Sequence, residues 1–146
     1  DAWIRDPNAV RCQDEDSVPG PGFRNGILDA GEDFNGSGKI EAGNVASVSP
    51  LATGADCSTV SGGSGQTNVV TDGSGIAQVC VVYPQDHNTW VDVTIKAQAS
   101  VSGTEFATST QFNLPGKAAD FNDTTASPPG PTSPFGPDLD CSIPPP

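Results

Sequence analysis

From Val91 the odd positions read Val91, Val93, Ile95, Ala97, Ala99 and Val101, while the even positions read Asp92, Thr94, Lys96, Gln98 and Ser100. Alternation with period two puts successive side chains on opposite faces, so this stretch predicts a strand with one buried face. Ser102-Gly103-Thr104 supplies a tight turn, and Phe106, Thr108, Thr110, Phe112 and Leu114 resume the alternation. Residues 90–114 therefore predict a β-hairpin. Upstream, Thr71-Asp72-Gly73-Ser74-Gly75 is a turn signal that would join a strand at Asn68-Val69-Val70 to one over Ile76–Tyr83. The second run is apolar on both faces around Cys80, as expected of a central strand, and Pro84 stops it. Shorter candidate strands lie at Ala2–Arg5 and near residues 44–49. No stretch longer than a turn combines helical spacing with capping signals. The pattern predicts an all-β chain, with about six short strands arranged as a small sandwich or barrel.

Composition limits how far that core extends. Leu, Ile, Val and Phe number 29 of 146, and 13 of them fall within residues 69–114. The flanks are too poor in apolar residues to order themselves by burial and need other supports. Five zones follow: a short strand before Pro7, an acidic Gly/Asn-rich segment over 12–44, a strand and flexible Ser/Gly loop over 45–66, the β core over 67–114, and a tail over 115–146. The tail holds nine of the 14 prolines. The expected domain division is a sandwich over 1–114 that carries 12–44 as an insertion, followed by a proline-rich C-terminal extension over 115–146.

The formal net charge is −12, from 18 acidic and 6 basic residues. A nucleic-acid binder needs clustered Lys and Arg to neutralise phosphates, so nucleic acid is excluded as a partner, and by the same argument an anionic membrane surface is disfavoured. An acidic surface suits cations, calcium above all. No apolar run approaches the length of a membrane span, and no signal peptide is visible, so the chain reads as a mature product or a fragment.

The four cysteines, Cys12, Cys57, Cys80 and Cys141, form no CxxC pattern, and His87 is the single histidine. Zinc, iron–sulfur and haem readings gain no support. An even count at wide spacing implies two disulfides and an oxidising, extracellular or cell-surface compartment. Three pairings are open. The expected one is Cys57–Cys80 with Cys12–Cys141, because the second bridge would tie together the two apolar-poor ends.

The strongest chemical motif is Asp33-Phe34-Asn35-Gly36-Ser37-Gly38-Lys39-Ile40-Glu41-Ala42-Gly43-Asn44. Oxygen ligands recur at positions 1, 3, 5, 9 and 12, with Gly38 at the sharp turn of position 6 and apolar Ile40 at position 8. A hard cation wants six to eight oxygens on a loop wrapped around it, and this spacing supplies them. The expected calcium set is Asp33, Asn35, Ser37, Lys39, Glu41 and Asn44, although Asn44 stands where a bidentate Glu is usual. Directly before it, Asn25-Gly26-Ile27-Leu28-Asp29-Ala30-Gly31-Glu32 matches the second half of the same pattern. Asp16 is the candidate start, and Val18–Gly22 an insertion, which adds Asp16, Asn25, Asp29 and Glu32. The loops abut with no room for helices, so they are not a paired EF-hand. They resemble the tandem calcium loops of thrombospondin type 3 repeats. The plain alternative is a solvated acidic loop with no specific ligand.

Thr71-Asp72-Gly73-Ser74-Gly75-Ile76-Ala77, the strand to Tyr83-Pro84, Trp90-Val91-Asp92-Val93 and Ser102-Gly103-Thr104-Glu105 together resemble bacterial Ig-like domains, the invasin/intimin-type repeats of large surface proteins. The flanking acidic loops and Pro128-Pro129-Gly130 through Ser133-Pro134-Phe135-Gly136 resemble the surroundings of such domains. The resemblance implies an immunoglobulin-like β-sandwich serving as stalk, spacer or adhesive tip outside the cell. Its partners would be other domains or subunits of the same assembly, or a host or surface ligand. It brings no catalytic residues.

Other features weigh toward structure. His87 in Asp86-His87-Asn88-Thr89 reads as a surface turn. Gly63-Ser64-Gly65 and Gly73-Ser74-Gly75 lie in turns with no following helix, so neither is a nucleophile elbow. Trp3 and Trp90 read as packing residues, with sugar stacking as the alternative. Asn122-Asp123-Thr124 fits a glycosylation sequon by chance. The tail reads as a strap across the domain pinned by Cys141, with an extended recognition segment as the alternative. The expected function is a non-catalytic structural or adhesive module stabilised by calcium and disulfides. The rivals are a carbohydrate-binding accessory module of a secreted enzyme and a small secreted hydrolase.

Overall fold

The computed structural model describes residues 2–5, 10–43, 45–122 and 132–146. Six strands form in chain order: β1 (Ala2–Arg5), β2 (Val10–Gln13), β3 (Ser47–Leu51), β4 (Gln78–Val82), β5 (Val91–Val101) and β6 (Thr104–Asn113). Among the described residues the only helical elements are short 3-10 turns, so the chain is all-β as its periodicity predicts. Every strand pairing is antiparallel. Among the described residues no helix is long and apolar enough to cross a membrane.

The chain divides into two compact units, one made of residues 1–43 and 85–146, the other of residues 44–84. The first holds a four-stranded sheet in the order β2-β1-β5-β6. The expected hairpin is its spine. β5 and β6 pair continuously from Asp92↔Asn113 to Val101↔Thr104 across a two-residue turn. Ser102 and Gly103 both take positive φ, 51° and 81°, the geometry that matches the right-handed twist of flanking strands. β1 lies between β5 and β2, with Trp3 opposite Val91 on one side and Cys12 on the other.

The hairpin buries less than its alternation implies. Val91, Asp92 and Val93 are buried and Ile95 is half-buried, but Ala97 and Ala99 are exposed. Nine of the ten residues of β6 are exposed, and Phe112 is half-buried. Alternation marks a surface suited to cover; it does not supply the cover. The expected single buried face is realised at one end only.

That end is closed by the C-terminal strap. Ser133 Oγ donates to the Ile4 carbonyl at 2.6 Å. The Phe135 ring packs on Trp3, with centroids 5.1 Å apart. Arg5, fully buried, sets its guanidinium over the Trp3 ring and donates to the carbonyls of Asp140 (3.0 Å) and Ile143. The Cys12–Cys141 disulfide fixes the arrangement. Trp3, Trp90, Leu114 and Phe135 form the apolar centre.

In the second unit β3 pairs with β4, Ser49 opposite Cys80, and Cys80 is bridged to Cys57. Both expected disulfides are present. The Thr71–Gly75 turn forms, its Asp72 carboxylate accepting from the Ser74 and Ile76 N–H groups. Two expectations need correction. Asn68-Val69-Val70 is not a strand, and β4 is not central, since among the described residues it pairs with β3 alone. Three residues flanked by polar neighbours have too little to bury on one face to hold a strand. Val79 is itself exposed, so the double-sided apolar run lacks a second neighbour.

Candidate functional site

The acidic segment is ordered by carboxylates turned inward. After β2, Asp14 caps a 3-10 turn over Glu15–Ser17, its side chain accepting from the Asp16 N–H at 3.2 Å. The turn points Glu15 into the protein, where it is 1% exposed. One Glu15 oxygen accepts from the Phe34 N–H and the other from the Glu41 N–H, each at 3.0 Å. The Glu15 N–H in turn donates to the Glu41 carbonyl at 2.8 Å. A single side chain thus clasps both ends of the loop over 33–41.

Within that loop the acceptors gather on Ser37. Asp33 accepts from the N–H groups of Ser37 (2.9 Å) and Gly38 (3.0 Å), and Asn35 Oδ1 accepts from Ser37 N–H at 2.9 Å. Gly36 and Gly38, both at φ 74°, make the left-handed turns that allow this winding. Ser37 Oγ lies 2.9 and 3.1 Å from the two Glu41 carboxylate oxygens and 3.1 Å from the Lys39 carbonyl. Asn35 Nδ2 donates to Glu41 at 2.9 Å. A hydroxyl has one proton to donate, so Ser37 cannot satisfy three acceptors at once. The oxygens of positions 1, 3, 5, 7 and 9 are thereby brought together, with Lys39 contributing its main-chain carbonyl. Asn44, at position 12, lies outside the described residues.

The upstream set is linked pairwise. Asp16 accepts from the N–H groups of Asn25 (3.0 Å) and Gly26 (2.9 Å). Asn25 donates to Asp29 at 2.8 Å, and the Asp29 N–H donates to Glu32 at 2.8 Å. Asp16, Asn25, Asp29 and Glu32 therefore lie along one hydrogen-bonded path. Among the described residues no group of three or more His, Cys, Asp and Glu side chains is placed to hold a metal ion. The 33–41 loop draws on Asn, Ser and carbonyl oxygens together with only two carboxylates.

The electrostatics are strained in one direction. Burial pushes the Glu15 carboxyl above its ordinary value, and the adjoining Glu41 carboxyl adds to the rise against the two N–H donors that oppose it. Burial likewise raises Asp14. Glu15, Glu32 and Glu41 are all buried. Sequence reasoning found Glu41 and Glu32 but missed Glu15 and Asp14, whose roles depend on a fold-back that no local spacing encodes.

The remaining candidates resolve simply. Trp3 and Trp90 are 1% and 0% exposed, so neither offers a face to a sugar. His87 sits in the Gln85–His87 turn with Nδ1 2.8 Å from Asp86, and its ring meets Phe135 edge-on at 5.7 Å. It is tucked against the strap and is not a fully exposed turn residue. Asn122 is exposed, while Asp123 and Thr124 of the sequon lie outside the described residues. A half-open cavity of about 230 Å³ beside the Cys12–Cys141 bridge is lined by Trp3, Gln13, Glu15, Phe34 and Ser142. It is below the usual volume for small-molecule sites.

No protein-family model, curated protein or solved structure matches the chain.

Proposed function

We propose that this chain is a non-catalytic extracellular module of immunoglobulin-like β-sandwich type, structural or adhesive in role, held in shape by calcium and two disulfides within a larger assembly. The observation that carries the calcium part is the surplus of acceptor oxygens around Ser37, with Asp33 and Asn35 on its N–H and the Lys39 carbonyl and both Glu41 oxygens on its single hydroxyl. A hard divalent cation takes such a set, and its charge offsets the carboxylates that a chain of net charge −12 has buried nearby. The two disulfides support an oxidising compartment. The all-β architecture and a tail locked to the sheet suit a part that bears load.

Melting of the whole chain in millimolar calcium and in excess chelator tests the reading. Binding to the folded state alone stabilises by mass action, so chelator should lower the Tm and expose residues 14–44 to protease. Identical melting and identical protease maps in the two conditions would overturn the calcium part.

A further inference from the structure

We propose that β6 is a self-association edge, through which two copies of this chain pair antiparallel about a two-fold axis at Ser109. The proposal deepens the assembly reading above and rests on it by naming the strand that meets a neighbour.

β6 runs ten residues in unbroken register with β5, and among the described residues nothing pairs with its other side. Its outward N–H and C=O groups form a template for another strand. Proteins ordinarily blunt such an edge with Lys, Pro, a bulge or brevity. β6 has no Pro, no Lys and no bulge, and its one charge is Glu105. The opposite edge, β2, is four residues long and tied by Cys12 to the strap.

Three features favour a second copy as the occupant. The first is charge. The chain as a whole carries −12, which opposes self-association, yet residues 93–112 hold only Lys96 and Glu105 and are neutral. The hairpin thus adds nothing to the net charge that opposes association.

The second is register. Pairing centred on Ser109 sets Glu105 opposite Asn113, Phe106 opposite Phe112, Ala107 opposite Gln111 and Thr108 opposite Thr110. No like charges face each other, and both phenylalanines gain an aromatic partner of the kind that stabilises cross-strand pairs. Lys96, opposite Ser109 within one copy, stands three strand spacings from its symmetry mate, about 14 Å, beyond the Debye length at physiological salt, so their repulsion is largely screened.

The third is continuity of the apolar face. Residues directly opposite share a face, so Val93, Ile95, Ala97 and Ala99 with Phe106 and Phe112 line one side of the hairpin. Phe106 is 69% exposed, and Ala97 and Ala99 are also open. A shift of one residue would set this face against the polar one, whereas the Ser109-centred register makes it continuous across both copies.

Sedimentation velocity on the full chain, with cross-linking, tests the pairing. The wild type should dimerise reversibly as concentration rises toward millimolar. Ser109→Cys should give a disulfide-linked dimer on mild oxidation, while Gln111→Cys, whose neighbour would be Ala107 of the second copy, should not link to itself. Ser109→Lys sets two lysines on the axis and should weaken association by about tenfold or more with an unchanged Tm at low concentration. A wild type monomeric at every concentration would overturn the proposal, as would a dimer indifferent to Ser109→Lys or one that links equally through Gln111→Cys. Melting in calcium and chelator reports on the loop and not on this edge, so the two failures are separable.

Discussion

Replacing Cys12 and Cys141 together with serine cuts the longest covalent loop in the protein. The bridge spans a sequence separation of 129 residues, against 23 for Cys57–Cys80. In the chain-entropy picture a loop of that length restricts the unfolded state by about 5 kcal/mol, and the shorter loop by about 3.4 kcal/mol. The nested shorter bridge trims the larger figure by only a few tenths, because the dependence on length is logarithmic. Whole-domain stabilities run at about 5–15 kcal/mol, so losing the long bridge removes a large share. With a melting entropy of about 0.3 kcal/mol/K for a chain of 146 residues, the Tm should fall by about 15 °C. Urea and thermal unfolding of the double serine variant, beside the matching Cys57/Cys80 variant, reads both numbers. The strap bridge should cost more. A loss below about 1.5 kcal/mol, or a larger loss from the short bridge, would refute the view that the tail is an integral layer of the sheet.

Three further outcomes follow from the same contacts. Glu15→Ala strips the acceptor from two N–H groups at the buried ends of the 33–41 loop and should cost about 2–4 kcal/mol in urea unfolding, more than the relieved repulsion with Glu41 returns. Phe135→Ala opens a void between Trp3 and His87 and should cost about 3 kcal/mol by the same measurement. Asp120 is held below its ordinary value of 3.8 by the Gln85 side chain first, then by the Lys117 N–H. Its contribution is complete above that value and is lost as pH falls through the lower folded value, so Asp120→Asn should lower stability at neutral pH and leave strongly acid pH little changed, which flattens the acid limb of a stability–pH curve.

The hairpin was legible because its alternation runs over both strands and its turn dipeptide permits two positive φ angles. The disulfide pairing was expected from need, since a Cys12–Cys141 bridge ties together two ends poor in apolar residues. β2 was not legible. Its Val-Arg-Cys-Gln carries no pattern of its own and becomes a strand because Cys12 lies opposite Trp3. The strand expected at Asn68–Val70 failed for the opposite reason: local β character with no partner. Within the acidic segment the spacing of Asp33, Asn35, Ser37 and Glu41 marked the loop, whereas the clasp by Glu15 depends on a contact 26 residues away in sequence. Periodicity speaks to which face is apolar and is silent on what covers it, as the bare end of the hairpin shows.

Calorimetric titration of the metal-free chain with calcium, beside Asp33→Ala and Glu41→Ala, reads the loop most directly. A saturable site with a dissociation constant at or below about 1 mM, weakened at least tenfold by either substitution, is the expected result. No binding heat at millimolar calcium, with unfolding curves that calcium leaves unmoved, would contradict it.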